Sequence, residues 1–386
     1  MSLKSKLGND WGRLDMTSEL SSLCSYAKGK VSVDTLSNRN YVSTENMVPN
    51  KGGIVDAGAL PSAQYTQQYI KDDILVSNIR PYFKKIWMAD DDGGCSNDVL
   101  VFRAECGCDS TFLYYVLAND AFFNYASATS KGTKMPRGDK TAIMQYEVPC
   151  FNHETQLRIG KLLRSIDDRI TVNKKINDNL HQQAATLFKA LFVDLTPFDG
   201  TMPPNWTIST LGDATEMGAG GDKPKESSPV KTPLCPYPIY SNGINDYGLY
   251  GYTNDPKIKV ESVTVSARGT IGYVCLRHTP YVPIVRLVTL IPDTKVLSAK
   301  YLYLYLRQLH ITGTGTTQQQ LTVPDFRKTE IIIPDKNTMD SFTETVTPLF
   351  EQIWANEDEN TKLAEVRDAL LPKLMSGEID VSDIQL

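Results

Sequence analysis

The composition is that of an ordinary globular protein and excludes several specialised classes. The chain has 386 residues, 41% of them hydrophobic and 22% charged, and its formal net charge is −5. That length allows two or three domains, and the net charge gives no global attraction to nucleic acid, so any DNA contact would need a local basic patch. Seven scattered cysteines predict reduced thiols and no zinc site. No apolar run approaches the ~18 residues of a membrane span, so we expect a cytoplasmic protein without membrane contact.

Residues 1–151 are predicted to form a first globular unit of mixed strands and helices. Turn signals separate three strand candidates, at 73–79, 83–89 and 99–103. The aromatic-rich segment 110–125 predicts one helix, and a shorter helix is expected near 20–26. A loop punctuated by Gly and Pro, residues 128–140, then carries the densest basic segment of the chain. We call it the basic loop.

The segment 152–192 is predicted to be one long helix. Apolar residues recur every three or four positions and lie along one stripe, which at 1.5 Å per residue would be roughly 60 Å long. The middle of this stripe is polar, because Asn173 and Asn177 occupy it.

The second half of the chain repeats this design. A linker at 193–205 leads to a second globular unit at 206–336, a second long helix at 337–376 and a short tail at 377–386. A single shift of 183 residues superposes the two stripes, and it places Asn173 on Asn356 and Asn177 on Asn360. Because apolar positions and polar interruptions both match, we interpret the chain as a tandem duplication.

Two such helices are expected to pack against each other as an antiparallel pair. In that arrangement Asn173 and Asn177 would face Asn356 and Asn360, and a register slip would leave a buried amide facing an apolar residue. The predicted fold class is α+β, with two globular units at opposite ends of an antiparallel helix pair and an approximate two-fold axis. The alternative is that each helix packs only on its own unit.

The groups needed for catalysis are missing from the sequence. The Gly218–Gly221 segment is too short for a phosphate or dinucleotide loop, and no GxxxxGK[ST] motif occurs. The four histidines share no metal-ligand spacing. We therefore expect a protein without an active site or a cofactor of its own.

The pattern resembles the specificity (S) subunit of type I restriction-modification systems. The resemblance rests on the duplicated long helices, the terminal segment LLPKLMSGEI at 370–379, and the Gly/Thr/Gln loop at 313–320 followed by Ile331-Ile-Ile-Pro334. The first half departs from the usual pattern, because the basic loop replaces a Gly-Ser/Thr-Gln type of loop.

The resemblance implies recognition of double-stranded DNA without catalysis. Each target-recognition domain would read one part of a split sequence, and the helix pair would fix the gap between the parts. Two methyltransferase subunits, which bring S-adenosylmethionine, and restriction endonuclease subunits would be the partners. Base flipping would be done by the methyltransferase subunits.

The loops are the candidate DNA contacts, since amides and guanidiniums pair with base edges while lysines more often hold phosphate. In the first half the candidates are Arg80, Lys84, Lys85, Lys131, Lys134, Arg137 and Lys140. In the second half they are Ser241, Asn242, Asn245, Tyr247, Tyr250, Arg268, Gln318, Gln319 and Gln320. The residues proposed to fix the helix register are Asn173, Asn177, Asn356 and Asn360.

Two other functions remain open from the residues alone. The chain could be a coiled-coil scaffold whose two domains hold proteins instead of DNA, in which case no duplex would bind. It could also be an enzyme of modified-base chemistry with an unfamiliar site, in which case the purified chain would bind S-adenosylmethionine.

Overall fold

A computed structural model describes residues 17–313, 320–382 and 384. The chain forms two compact units. The first contains the described residues up to Asn173 together with those from Asp358 onward, and the second contains Lys174–Glu357. The boundaries between the units therefore fall inside the two long helices.

The described part of the first unit contains short strands and three short helices before the first long helix. The strands are β1 (Thr17–Glu19), β2 (Cys24–Tyr26), β3 (Lys30–Ser32), β4 (Tyr41–Val42), β5 (Tyr65–Tyr69), β6 (Ile74–Ser77), β7 (Ile86–Met88), β8 (Gly93–Cys95), β9 (Val99–Ala104) and β10 (Glu147–Pro149). The helices are α1 (Ser110–Ala118), α2 (Asp120–Ala128) and α3 (Lys140–Met144). The strands form an antiparallel sheet of order β2-β9-β6-β7, a mixed sheet of order β3-β5-β8-β4, and the antiparallel pair β1-β10.

The long helices are α4 (His153–Phe188), which ends in a π-helical turn at Lys189–Val193, and α8 (Lys336–Met375). Between them the second unit has strands β11 (Thr207–Thr210), β12 (Thr215–Ala219), β13 (Ser227–Ser228), β14 (Tyr237–Tyr240), β15 (Leu249–Thr253), β16 (Ser262–Val265), β17 (Val274–Arg277), β18 (Val282–Pro283), β19 (Val288–Pro292) and β20 (Glu330–Ile333). Its short helices are α5 (Leu211–Ala214), α6 (Ala299–Gln308) and α7 (Val323–Phe326).

The two units share one framework, as the duplicated sequence predicts. The sheet β12-β19-β16-β17 of the second unit repeats the order of β2-β9-β6-β7, and the pair β11-β20 repeats β1-β10. The helix after each sheet is also capped alike, since the side chains of Asp109 and Ser298 accept the backbone N–H groups of Phe112 and Tyr301.

The cores explain why the helices belong to both units. In the first unit, Ile159 of α4 and Leu374 of α8 are buried with Phe112 and other residues of the strands and short helices. In the second unit, Phe188 of α4 and Phe342 of α8 are buried with the residues around α6. Each unit therefore buries one segment of each long helix.

Within each unit the two helix segments run antiparallel. In the first unit Asp167 pairs with Arg367 and Asn173 with Asn360. In the second unit Asn177 pairs with Asn356, while the Phe188 ring packs beside Phe342. In both units, residue numbers rise along α4 as they fall along α8.

Asparagines of the stripe form hydrogen bonds between the two helices. In the first unit Asn173 Nδ2 donates to Asn360 Oδ1 at 3.0 Å. In the second unit Asn356 Nδ2 donates to Asn177 Oδ1 at 2.7 Å, and Asn177 Nδ2 reaches the Ile353 carbonyl oxygen at 3.2 Å. These polar groups point inward while Ile176, which the spacing places on the stripe, is exposed.

Three local predictions differ from the structure. The segment 110–125 is two helices, because the Asn119 side chain accepts the N–H of Ala121 and starts a new helix there. The segment 20–26 is a 3-10 turn followed by β2, whose pairing with β9 overrides the local preference. In the segment 83–89 only Ile86–Met88 is a strand, since a 3-10 turn at Pro81–Phe83 comes before it.

Replacing Asn177 by Ala should destabilise the second unit by about 1–3 kcal/mol, because Asn356 is buried and its amide would lose an acceptor. The midpoint of chemical unfolding of the full chain measures the effect. The matched control is Asn179→Ala, the same change at an exposed position of α4, which should alter stability by less than about 0.5 kcal/mol. Equal effects of the two changes would show that the buried pair is unimportant.

Candidate nucleic-acid interface

The structure brings two sequence-distant parts of the predicted site together in the first unit. The backbone N–H of Arg80, three residues beyond the end of β6, donates to the Pro136 carbonyl oxygen at 2.8 Å. The Arg80 Nη2 atom lies 3.5 Å from the Lys134 carbonyl oxygen, and Ile79 forms a β-bridge with Arg137. Arg80 therefore lies against the basic loop.

The Arg80 guanidinium keeps unused hydrogen-bonding capacity. Its Nε atom is buried and has no hydrogen-bond partner among the described residues. Buried donors are nearly always satisfied in folded proteins, so this unpaired donor leaves the hydrogen bonding of Arg80 incomplete.

Three of the seven predicted cations of the first unit form ion pairs within that unit. Lys131 lies 2.5 Å from Asp139, Arg137 3.0 Å from Asp98, and Lys84 2.8 Å from Asp120. The Lys131 ammonium and the N–H groups at the start of α3 hold the pKa of Asp139 below its usual value. These ion pairs shape the loops and reduce their free positive charge.

The remaining first-unit candidates differ in how available they are. Lys134 is exposed and forms no ion pair with any residue in the described part of the chain. Lys85 donates to the Thr44 carbonyl oxygen at 2.5 Å, and burial lowers its pKa. Lys140 begins α3, with its ammonium 6.0 Å from the Tyr26 ring centre. Lys134 is therefore the best placed of the three for contact with a phosphate.

The second unit repeats the arrangement with different side chains. Arg268 lies three residues beyond the end of β16, as Arg80 does beyond β6. Its Nη2 atom donates to Gln320 Oε1 at 3.1 Å, and the neighbouring Leu321 N–H donates to the Ala267 carbonyl oxygen at 3.0 Å. In both units an arginine after the equivalent strand contacts the loop that precedes a short helix.

Asn242 has a structural role that its sequence context does not reveal. Its Oδ1 atom accepts the N–H of Ala267 at 2.7 Å, and its Nδ2 donates to the Val285 carbonyl oxygen at 2.5 Å. The amide thus joins three loops.

The turn that follows Asn242 is also constrained, because Gly248 has φ +82° and a Cβ there would lie 2.5 Å from the Ser241 carbonyl oxygen.

The other second-unit candidates lie on and after this turn. Asn245 is exposed in a 3-10 turn. The Tyr247 hydroxyl lies 3.0 Å from Glu357 Oε1, and burial raises the pKa of the phenol. Tyr250 is exposed, with the Lys223 ammonium 5.3 Å from its ring centre. Gln318 and Gln319 lie outside the described residues.

Sequence reasoning missed two cations near the candidate residues. Lys51 shares the Asp120 carboxylate with Lys84 at 2.8 Å, and no sequence pattern marks it. Lys223 belongs to the basic segment Lys223-Pro224-Lys225. That segment is visible in the sequence and could have marked Lys223 as a candidate.

The described residues contain no cluster of three His, Cys, Asp or Glu side chains that could hold a metal ion. Across residues 17–313 and 320–382, no helix is long and apolar enough to cross a membrane.

Comparison with known families supplies the deciding observation. The family model described as the type I restriction modification DNA specificity domain matches twice, over residues 16–182 and 203–365. The chain belongs to the type I restriction-modification specificity family. The two matches cover both halves of the duplication.

Individual members of the specificity family are similar over most of their length. The chain is 27% identical to the type I restriction enzyme MjaIX specificity subunit of Methanocaldococcus jannaschii, over 72% of this chain and 71% of that protein. It is 25% identical to the HindI specificity subunit of Haemophilus influenzae, over 80% and 87%. The crystal structure of the S subunit of a type I system from M. genitalium has the same fold, with a TM-score of 0.61 at 17% identity, over 97% of this chain and 99% of that one.

In this specificity-family chain, replacing Lys134 by Ala should weaken binding to mixed-sequence duplex DNA, because the predicted phosphate contact would be lost. Fluorescence anisotropy at several salt concentrations should show a plot of log affinity against log salt that is shallower by about one. Lys71→Ala, at another exposed lysine of the first unit, should leave the slope unchanged. Arg137→Ala is a less clean test because it also breaks the pair with Asp98. An unaltered slope for Lys134→Ala would exclude this lysine from the interface.

Proposed function

We propose that the chain is the DNA-recognition subunit of a type I restriction-modification system, and that each unit reads one part of a split target. The observation that carries this proposal is the repeated arrangement of an arginine and a loop. Arg80 meets the basic loop at Lys134 and Pro136, and Arg268 meets Gln320, each beyond the same strand of the shared framework. Membership of the specificity family supports it.

The two arrangements should recognise different bases. Arg side chains pair bidentately with guanine O6 and N7, and Gln amides with adenine N6 and N7. The second unit joins Arg268 to Gln320, whereas the first joins Arg80 to a loop of lysines and one arginine. A shared framework with different loop chemistry suits two unlike half-sites.

The long helices are proposed to set the gap between the two half-sites. Helices are stiff over tens of ångströms, and half-sites on one face of B-DNA recur about every 34 Å. The asparagine pairs would fix the register of α4 against α8, because a slip would leave buried amides unpaired. The gap should therefore have one constant length.

Catalysis is proposed to reside in partner proteins. Two methyltransferase subunits, which bring S-adenosylmethionine, would modify adenine in the half-sites, and restriction endonuclease subunits would cleave DNA. The chain itself would contribute recognition and docking surfaces but no cofactor.

Selection from a random-sequence duplex pool tests the function. The full chain, co-expressed with the methyltransferase subunits of its own system, should enrich duplexes with two constant blocks separated by unspecified bases at a fixed distance. A protein-binding scaffold would enrich no duplex. Enrichment of one uninterrupted block would contradict the split-target proposal.

Replacing Arg268 by Ala in the same selection should relax one block and leave the other intact, at a cost of about 1–3 kcal/mol at the affected base pair. Arg268→Lys should fail in the same way, since lysine keeps the charge but not the bidentate geometry. The control is Arg39→Ala, at an exposed arginine in a turn of the first unit that is not among the candidate DNA contacts, which should select the wild-type sequence. Relaxation of both blocks together would refute the assignment of one unit to each half-site.

A further inference from the structure

Two aromatic side chains project from the first unit beside the candidate interface. Tyr82 and Phe83 lie in the 3-10 turn Pro81–Phe83 and are 52% and 37% exposed. Their ring centres are 4.8 Å apart, with planes tilted by 54°. We call this pair the aromatic tip. Neighbouring large apolar side chains at a surface commonly mark a contact site.

The backbone holds the aromatic tip in a fixed and unusual conformation. Arg80 and Lys84, on either side of the turn, have φ values of +50° and +51°, which non-glycine residues rarely adopt and which strain the backbone. Pro81 restricts its own φ and so stiffens the turn. A strained, preformed turn that exposes two rings is typical of a functional site.

Ion pairs and backbone hydrogen bonds of neighbouring residues hold the turn that carries the aromatic tip. Lys84 and Lys51 both pair with Asp120 at 2.8 Å, and the Lys51 N–H donates to the Lys84 carbonyl oxygen at 2.8 Å. The backbone hydrogen bond from Arg80 to Pro136 places the basic loop beside this turn. In that loop Met135 is 50% exposed. The aromatic tip thus stands among the cations and the loop that are proposed to contact DNA.

The shared framework does not require this tip. Counting from Arg80 and Arg268, the positions of Pro81, Tyr82 and Phe83 correspond to Gly269, Thr270 and Ile271 in the second unit. Ile271 is partly buried and packs against the core of its unit, and Thr270 is a small polar residue. The aromatic tip is therefore a feature of the first unit and is not needed to form the fold that the two units share.

We propose that the aromatic tip is a wedge that inserts between neighbouring base pairs of the DNA bound by the first unit. The occupant is duplex DNA because the cationic residues Arg80 and Lys84 flank the turn that carries the rings and because apolar side chains of this kind unstack base steps and kink the duplex. Pyrimidine–purine steps deform most easily, so the wedge would add a preference for such a step to the contacts of Arg80. This inference rests on the proposed function of the first unit.

The test uses duplexes that carry the target found by the random-pool selection. 2-Aminopurine, whose fluorescence rises when a base is unstacked, is placed in turn at each position of the first-unit block except the methylated adenine. Binding of the wild-type full chain with its methyltransferase subunits should raise the signal at one step. The double variant Tyr82→Ser/Phe83→Ser should abolish that rise and weaken binding on the order of tenfold, the scale of losing one unstacked step with its contacts.

Two further variants separate a wedge from a general effect on the fold. Phe83→Leu keeps an apolar side chain and should retain most of the fluorescence rise. Tyr65→Ser, at a tyrosine of β5 that is 54% exposed, should behave like the wild type. Circular dichroism should show all variants folded.

The outcomes distinguish the wedge from the proposed function. An undiminished 2-aminopurine signal in the double variant, or a target bound with no unstacked step, would overturn the wedge and leave DNA recognition intact. Failure of the wild-type chain to enrich any duplex would overturn the proposed function, and the wedge with it.

Discussion

The structure depends on the burial of the apolar stripes of the two long helices in the cores of both units. Leu371 and Leu374 lie near the end of the chain, yet they are buried with Phe112 in the first unit. In the second unit Phe188 packs on Tyr301 and Phe342, with ring centres 5.4 and 6.1 Å apart. The first unit is therefore built from two separate stretches of chain, whereas the second is the single stretch Lys174–Glu357. In both units the core needs contacts between residues far apart in sequence.

The two units use different side-chain interactions to hold the long helices against the rest of the unit. In the first unit Asp167 accepts a hydrogen bond from the Tyr115 hydroxyl at 2.6 Å and pairs with Arg367 at 2.6 Å. The shift of 183 residues places Phe350 at the position of Asp167, and Phe350 is buried in the core of the second unit. Near it, the rings of His278 and Trp354 stack 4.1 Å apart.

This difference has an energetic consequence. Removing one member of a partly buried ion pair leaves an uncompensated charge, whereas shortening a buried phenylalanine leaves a cavity. The duplication preserved the backbone framework while the side chains at equivalent positions diverged. The loops that are proposed to contact DNA diverged in the same way.

Much of the framework could be predicted from the sequence because periodicity and duplication are visible there. One shift applied to the two stripes places Asn173 and Asn177 on Asn356 and Asn360. In the structure Asn173 bonds to Asn360, and Asn177 to Asn356. The break at Asn119 was not predicted, because the aromatic periodicity runs across it. A capping hydrogen bond from the Ala121 N–H to the Asn119 side chain starts the second helix there.

Only some features of the candidate site could be predicted from the sequence. The basic loop is visible in the sequence, but the pairing of Arg137 with Asp98 joins residues that only the fold brings together. Asn242 looks like a base-reading amide in its polar loop, whereas its hydrogen bonds hold Ala267 and Val285. Side-chain partners set by tertiary contacts leave no pattern in a single sequence.

Hydrogen exchange on the full chain tests most directly whether the first unit is completed by a distant segment of α8. Leu374→Asp should remove protection from β6, β9 and α1 of the first unit, because a charge would enter their shared core, while β16, β19 and α6 stay protected. Val366→Asp, at an exposed position of α8, should leave both patterns unchanged. Full protection of the first unit in Leu374→Asp, or equal loss in both units, would contradict a core that the end of the chain completes.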